Sequence, residues 1–449
     1  MKELLTDASE RALRYISGVA ARRVAPTPED TAGLIAFLEP LPEDPCDPAD
    51  ILSLLDELGS PATVASTGGR YFGFVTGGTL PAALAANWLA GAWDQNAAFR
   101  AMSPVSAALE EVVLEWLREL LNLPSACGGG FVTGATMANL TCLAAARHAL
   151  LKRAGWNVEE DGLFGAPPLR VIVGEDVHVS LLKALSLLGL GKSRVIKVPA
   201  DGQGRIRSDA LPAFDDRTIV CIQAGNVNTG GFDPAEEICP HAREHNAWVH
   251  VDGAFGLWAA LAPDRAHLMA GFDQADSWAT DCHKWLNVPY DSGLAFVREP
   301  QYMRSAMAIH AAYLQTTDTR EPSQYTPESS RRARCIEVWA ALRSLGRKGS
   351  ADMIERSCRL AFRFAQILRD AGCDILNDVV LNQVLVSFGD DAKTKHVISA
   401  IQHDGTCWCG GTEWHGRAAM RISVSCWATT EADIDQSAAA ILRIANSSR

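Results

Sequence analysis

The chain reads as an α/β protein built on a mostly parallel sheet covered on both faces, followed by a smaller α+β domain. Four short runs predict the sheet: Arg170 to Val173, Arg194 to Val198, Ile219 to Gln223 and Trp248 to Val251. They are mostly apolar rather than alternating, as strands buried on both faces are. Between about Gly69 and Tyr313 such runs alternate with helical patterns, which is the rhythm of βα units. After Ser330 the pattern changes. Arg331 to Leu345 is an amphipathic helix, a second helix follows, and Gln383 to Phe388 and Met420 to Ser425 read as strands. The first sixty or so residues alternate amphipathic helical segments with the connection Glu39-Pro40-Leu41-Pro42-Glu43-Asp44-Pro45, where proline interrupts helix. The expected division is a helical segment over 1–68, a large domain over 69–315, a loop over 316–330 and a small domain over 331–449.

Composition agrees with a compact enzyme. The chain has 449 residues, 48% hydrophobic and 21% charged, enough for a large core and a second domain. A net charge of −12 with no basic stripe argues against a nucleic-acid partner, because phosphate binding concentrates Lys and Arg. No window approaches eighteen uninterrupted apolar residues, and Met1-Lys2-Glu3-Leu4-Leu5 lacks the layout of a signal peptide, so no membrane role and a cytoplasmic location are expected. Twelve cysteines, most inside apolar runs and none in a Cys-x-x-Cys pair, read as reduced, buried thiols. His241 and His245 lie four apart on a helical pattern without a third ligand suggested, and a solvated helix face accounts for them, so no metal is expected.

The chemistry lies in a constellation of motifs. Asp252 ends the run Ala247-Trp248-Val249-His250-Val251, and thirty-two positions later stands Lys284, in Asp281-Cys282-His283-Lys284-Trp285. In pyridoxal phosphate (PLP) enzymes a Lys amine holds the cofactor as a Schiff base, and an Asp keeps the ring nitrogen protonated. Upstream, the glycine-rich stretch Gly128 to Gly134 and Ala135-Thr136-Met137-Ala138-Asn139-Leu140 opens into Thr141 to Arg147, which reads as helix. A small-residue turn at a helix N-terminus presents free N–H groups to an anion; the bland alternative is an ordinary tight turn. His178 follows the strand pattern Val171-Ile172-Val173-Gly174 and precedes another helix, where open α/β sheets bind ligands, or else it caps the strand.

The ordered set Thr133 to Leu140, His178, Gly225-Asn226-Val227-Asn228-Thr229-Gly230-Gly231-Phe232-Asp233, Asp252-Gly253-Ala254 and His283-Lys284-Trp285 resembles the group II PLP-dependent amino-acid decarboxylases, both aromatic-amino-acid and glutamate types. The likeness runs from about Gly69 through Gly349. It implies fold type I, with a large domain holding a mostly parallel seven-stranded sheet and a small C-terminal domain, working as a homodimer with active sites at the interface. It further implies that Lys284 holds the cofactor, Asp252 pairs with the ring nitrogen and His178 stacks on the ring. Ala135 and Thr136 should meet the phosphate, with His283 nearby, and Ala254 should pack on the other ring face. Asn226 stands where the family commonly has Thr near the phenolic oxygen, and Asp281 where animal members often have Asn.

The implied reaction is decarboxylation of an L-amino acid to its amine, with a carbon–carbon lyase or an aldehyde synthase on the same scaffold as the alternative. A non-catalytic PLP-binding protein is a third reading, disfavoured by the full set of catalytic residue types. Protonation after carbon dioxide leaves needs a general acid. The polar segment Gln315 to Ser329, before Arg331-Arg332, resembles the family's mobile catalytic loop, and Tyr325 is its only tyrosine; the other reading is a surface turn. Phe72, Phe74, Asn96, Phe99 and Arg100 fall where the family builds its side-chain pocket. The phenylalanines suit an aromatic substrate and Asn96 with Arg100 an acidic one, unless all five are interface packing. Arg421 is either a partner for the substrate carboxylate or a buried structural ion pair.

Overall fold

A computed structural model describes residues 1–309 and 319–447. Residues 316–318 of the expected loop therefore lie outside the described residues. Tertiary contacts divide the chain into two units, one of Thr79–Arg359 with Asn377–Gln383, the other of Met1–Gly78, Leu360–Leu376 and Val384–Arg449. The N-terminal segment thus shares a unit with the C-terminal one, with division points at 78/79 and 359/360 where the sequence suggested 68/69 and 330/331.

The first unit is organised by a seven-stranded sheet. Its strands are β1 (Gly128–Val132), β2 (Arg170–Gly174), β3 (Ile196–Val198), β4 (Thr218–Gln223), β5 (Trp248–Asp252), β6 (Ser277–Asp281) and β7 (Gly293–Val297). Their order is β1-β7-β6-β5-β4-β2-β3. The pairs β2/β3, β2/β4, β4/β5 and β5/β6 are parallel, whereas β7 is antiparallel to both β6 and β1. Two reversals bring β1 back into the direction of β6, so six of the seven strands end at one edge of the sheet. Ligands of open α/β sheets bind at that edge. The apolar runs are buried for the reason they are apolar: β4, β5, β6 and β7 are inaccessible along their whole length.

One element was misread from sequence. Gly128 to Val132 is a strand, not part of a phosphate turn, and the helix after it begins at Ala135 rather than near Thr141. The glycines are there for close approach. A Cβ on Gly129 would lie 2.6 Å from the Phe296 ring, and one on Gly130 would lie 2.8 Å from Thr326 Cγ2. Helix Ala135–Arg153 is buried along most of its length, its alanines letting it sit close to β6 and β7. The long helix Cys335–Asp370 is broken at Gly346, whose φ of 60° is in the left-handed region.

The second unit carries a four-stranded sheet of β8 (Asp374–Ile375), β9 (Gln383–Ser387), β10 (Gly410–Trp414) and β11 (Arg417–Ser423), in the order β10-β11-β9-β8. Helix Asp391–Asp404 packs on β10 and β11, and helix Glu431–Ser447 packs against that helix. Its N-terminal helix Lys2–Gly18 buries no residue. Among the described residues no helix is long and apolar enough to cross a membrane.

A buried ion-pair cluster fixes the segment before helix Cys335–Asp370 onto the larger sheet. Glu110, on helix Pro104–Leu120, lies 2.6 Å from Arg331 Nη2 and 2.9 Å from Arg320 Nη2. Arg331 donates to the Phe131 carbonyl at 2.8 Å and Arg320 to the Gly129 carbonyl at 2.7 Å, both on β1. Removing one member of such a cluster leaves its partner's charge buried and uncompensated. Glu110→Ala should therefore lower unfolding free energy by about 3–5 kcal/mol. Urea denaturation followed by tryptophan fluorescence reads this directly, and a loss below about 1 kcal/mol would place the pair among those of no consequence.

Candidate active site

Strand direction brings the motifs together. Asp252 is the last residue of β5 and Asp281 the last of β6. Gly134 and Ala135 follow β1, His178 follows β2, and Asn226 follows β4, all at the same edge. His283 and Lys284 continue from β6. The predicted cofactor set therefore converges without any single segment of sequence carrying it.

Asp281 is the hub. Its Oδ1 accepts the Ala135 N–H at 2.6 Å and lies 3.5 Å from His283 Nε2, while its Oδ2 is 3.1 Å from Lys284 Nζ. Gly134 is extended and supplies no side-chain cap, so helix Ala135–Arg153 meets Asp281 with bare N–H groups. A Cβ on Gly134 would sit 3.1 Å from the His283 ring, and one on Gly293 would lie 2.5 Å from Gly134 Cα. Both glycines keep the cradle open by letting backbone touch backbone. The His283 Nδ1 accepts the Ser292 N–H at 3.0 Å, and its ring stacks on Tyr290 with centroids 4.3 Å apart. Burial holds the His283 pKa below its usual value, favouring a neutral ring.

Asp252 is buried, and its oxygens accept from Asn139 Nδ2 at 3.1 Å and from the Ala254 N–H at 3.3 Å. His178 caps helix Val179–Leu187, its Nδ1 accepting the Ser180 N–H at 3.3 Å with Ser180 Oγ at 2.7 Å, which fixes the ring plane. Asn226 Oδ1 closes a turn by accepting from Asn228 and Thr229, leaving its buried Nδ2 with no hydrogen-bond partner among the described residues. An orphaned donor of this kind suits an acceptor on a ligand.

The remaining predicted residues fall in both units. Tyr325 ends the short turn Pro322–Tyr325, with its chain against Gly130 of β1 and the Arg320 guanidinium 4.6 Å above its ring. Arg100 is paired with Glu111, and Asn96 Oδ1 accepts from the Ala98 N–H at 3.1 Å and the Arg331 N–H at 3.3 Å. Phe99 is half-buried. In the other unit, Phe72 is buried edge-on against Phe364, whereas Phe74 is exposed beside Trp408. Arg421 there is held by burial below the usual guanidinium pKa. Sequence reasoning did not find Asn139, His250 or Glu110. The first two were visible only as members of motifs named for other residues. His241 and His245 do gain a third neighbour, Glu244, with ligand atoms within 4.8 Å of one another.

Comparison with known proteins bears on this geometry. Residues 49–389 match the pyridoxal-dependent decarboxylase conserved domain, and the chain belongs to that family. It is 25% identical to the aromatic-L-amino-acid decarboxylase of Bacillus atrophaeus over 455 residues, spanning 96% of this chain and 92% of that protein. It is 32% identical to the aspartate 1-decarboxylase of Aliivibrio fischeri over 257 residues, 54% of this chain and 47% of that relative's length. The fold matches Oryza sativa TDC, solved with PLP and tryptamine, with a TM-score of 0.92 at 21% identity, over 99% of this chain and 97% of that one. The protein is thus a PLP-dependent decarboxylase, a carboxy-lyase of fold type I.

The residues fit PLP. A helix N-terminus with uncapped N–H groups suits a phosphate, a lysine amine stands beside it, and the neighbouring strand ends in a buried carboxylate. One feature is out of keeping with a dianion: the carboxylate of Asp281 already occupies the helix end. Like charges at one site repel. Asp281→Asn keeps an acceptor for the Ala135 N–H and removes that charge, so it should tighten PLP binding by roughly tenfold. Fluorescence titration of the apoprotein measures this; weaker binding would mean that the carboxylate serves the cofactor instead of competing with it.

Proposed function

We propose that the chain decarboxylates an aromatic L-amino acid, with Lys284 holding PLP. The observation that carries this reading is the convergence of Lys284, Asp281 and the open end of helix Ala135–Arg153 at the edge where Asp252 ends its strand. PLP, when bound, draws electrons from the substrate Cα so that carbon dioxide can leave. The chain's own residues do the rest. The open end of helix Ala135–Arg153 would hold the phosphate, the Ala135 N–H passing to it from Asp281 and the Thr136 N–H beside it, and neutral His283 would flank it without adding charge. Asp252 would keep the ring nitrogen protonated. His178, with its plane set by Ser180, and Ala254 would hold the ring between them. Asn226, whose buried Nδ2 has no partner among the described residues, would offer a donor to the phenolic oxygen in place of the usual Thr.

An aromatic substrate is favoured over an acidic one by coverage: the match to the Bacillus relative spans 96% of this chain and 92% of that protein, the match to the Aliivibrio one only 54% and 47%. The Bacillus relative acts on aromatic amino acids and the Aliivibrio one on aspartate, so the substrate decides between them. Tyr325 is the proposed proton donor to Cα. Incubating the holoenzyme with each of the twenty amino acids and measuring carbon dioxide and amine should show turnover of aromatic substrates. Release from only acidic, basic or aliphatic ones would refute the aromatic assignment. In that assay Lys284→Ala should lose both activity and the borohydride-sensitive visible band, and Tyr325→Phe should lose amine while keeping the band. Undiminished amine from Tyr325→Phe would make this tyrosine a packing residue beneath Arg320.

The working form is proposed to be a homodimer in the cytoplasm. Helix Pro81–Trp93 is apolar but for Asn87 yet buries only Ala83, and Trp88, Leu89 and Trp93 on it are exposed, as is Met102 just beyond. A contiguous apolar patch of this kind marks an association surface. All twelve cysteines carry free thiols, which suits a reducing compartment. Sedimentation equilibrium should give twice the chain mass for the unaltered protein and the monomer mass for a Trp88→Glu, Leu89→Glu double variant; a monomeric unaltered protein would remove the dimer.

A further inference from the structure

Behind Asp252 runs a chain of buried polar side chains that no step above uses. Trp248 Nε1 donates to Ser277 Oγ at 2.9 Å, Ser277 Oγ is 2.9 Å from His250 Nδ1, and His250 Nε2 is 2.8 Å from Asn139 Oδ1. Asn139 Nδ2 then donates to Asp252 Oδ2 at 3.1 Å. Asn139, His250 and Ser277 are wholly inaccessible to solvent, and Trp248 and Asp252 nearly so.

The two ends dictate every direction between them. An indole N–H can only donate, and a carboxylate only accepts. With its NH2 turned to Asp252, Asn139 must present Oδ1 to His250, which therefore carries its proton on Nε2. Nδ1 is then a lone pair that accepts the Ser277 hydroxyl proton, and Ser277 in turn accepts from Trp248. Burial pushes the His250 pKa down to about 4, so the ring is neutral at physiological pH and the tautomer is the one the chain requires.

We propose that Asn139, His250 and Ser277 are positioning residues that orient a hydrogen bond onto Asp252 and so hold its carboxylate against the ring nitrogen of PLP. This rests on the reading of Asp252 as the ring-nitrogen partner. The Asn139 amide is held at both ends, its NH2 by Asp252 and its Oδ1 by His250, so losing His250 frees one end of the amide and loosens its hold on Asp252.

The experiment loads the purified protein with PLP labelled with ¹⁵N in the ring and reads two quantities: the ring-nitrogen chemical shift, which reports whether that nitrogen is protonated, and the PLP dissociation constant. His250→Leu should shift the ring signal toward the unprotonated position and weaken PLP binding by about tenfold, the worth of one hydrogen bond to a charged group. His250→Gln, which can both donate to Asn139 and accept from Ser277, should restore both. Unchanged values in His250→Leu, or equal losses in Leu and Gln variants, overturn the relay. Asp252→Ala separates the two levels: if it too leaves the ring signal unmoved, the reading of Asp252 fails. If it moves the signal and His250→Leu does not, only the relay fails. Should His250→Leu not fold, the ¹⁵N spectrum of the unaltered protein labelled in histidine remains decisive, with His250 assigned through His250→Gln. A proton on Nε2 with bare Nδ1 supports the chain, and a proton on Nδ1 overturns it.

Discussion

The candidate site depends on one buried carboxylate. Asp281 ends β6, and a carboxylate without water must be met by donors or cations to remain charged at tolerable cost. Three elements meet it: the first N–H of helix Ala135–Arg153, the amine of Lys284 and the edge of the His283 ring. Because each partner comes from a different segment, the interaction fixes where the helix begins relative to β6 and where the lysine points. The positive helix end and the ammonium both face the same small volume, with the Asp281 charge between them.

That volume exists because the backbone around it lacks side chains. Gly293 opens β7 opposite Asp281, and its Cα faces that of Gly134 so closely that a methyl group on either would displace a neighbour. The same logic runs back along β1, where Gly128, Gly129 and Gly130 accept Pro300, Phe296 and Thr326 in the space a Cβ would take. The run of glycines is thus one device with two results. It seats β1 under its covering segments, and it delivers Gly134 bare to the phosphate end of the site. The Glu110 cluster with Arg320 and Arg331 works on the same strand, tying the covering segment to the β1 carbonyls.

Much of this was legible because burial on both faces leaves a mostly apolar run in sequence, as at Val171 to Val173, Ile219 to Ile222 and Trp248 to Val251. The Asp and Lys at strand ends were legible because charge at the end of such a run is costly unless used. β1 was not, since glycines chosen for close approach look the same in sequence as glycines chosen for a turn. The two antiparallel neighbours of β7 were hidden too, because strand direction follows from which connections cross the sheet rather than from any local pattern. Asn139 and His250 were present inside recognised motifs, but a polar side chain on a buried helix face or strand declares its purpose only when its partner is seen. Arg100 and Asn96 illustrate the reverse: their types suggested an acidic ligand, and their partners in the fold are Glu111 and backbone amides.

Adjacent strands β5 and β6 end in two buried carboxylates whose surroundings differ in kind. Asp281 is met by the ammonium of Lys284, so its charge is balanced inside the chain. Asp252 is met by an amide NH2 and a backbone N–H, and among the described residues no cation lies within ion-pairing distance of it. Neutral donors lower the cost of burying a carboxylate but leave its charge uncancelled. His250, an ionisable neighbour, is kept neutral by burial, so it adds direction to the hydrogen-bond chain and no positive charge. A carboxylate so arranged suits a cation from outside the chain, and a protonated ring nitrogen is such a cation. In the proposed reading the difference between the two acids would orient the ligand, with its cationic nitrogen toward Asp252.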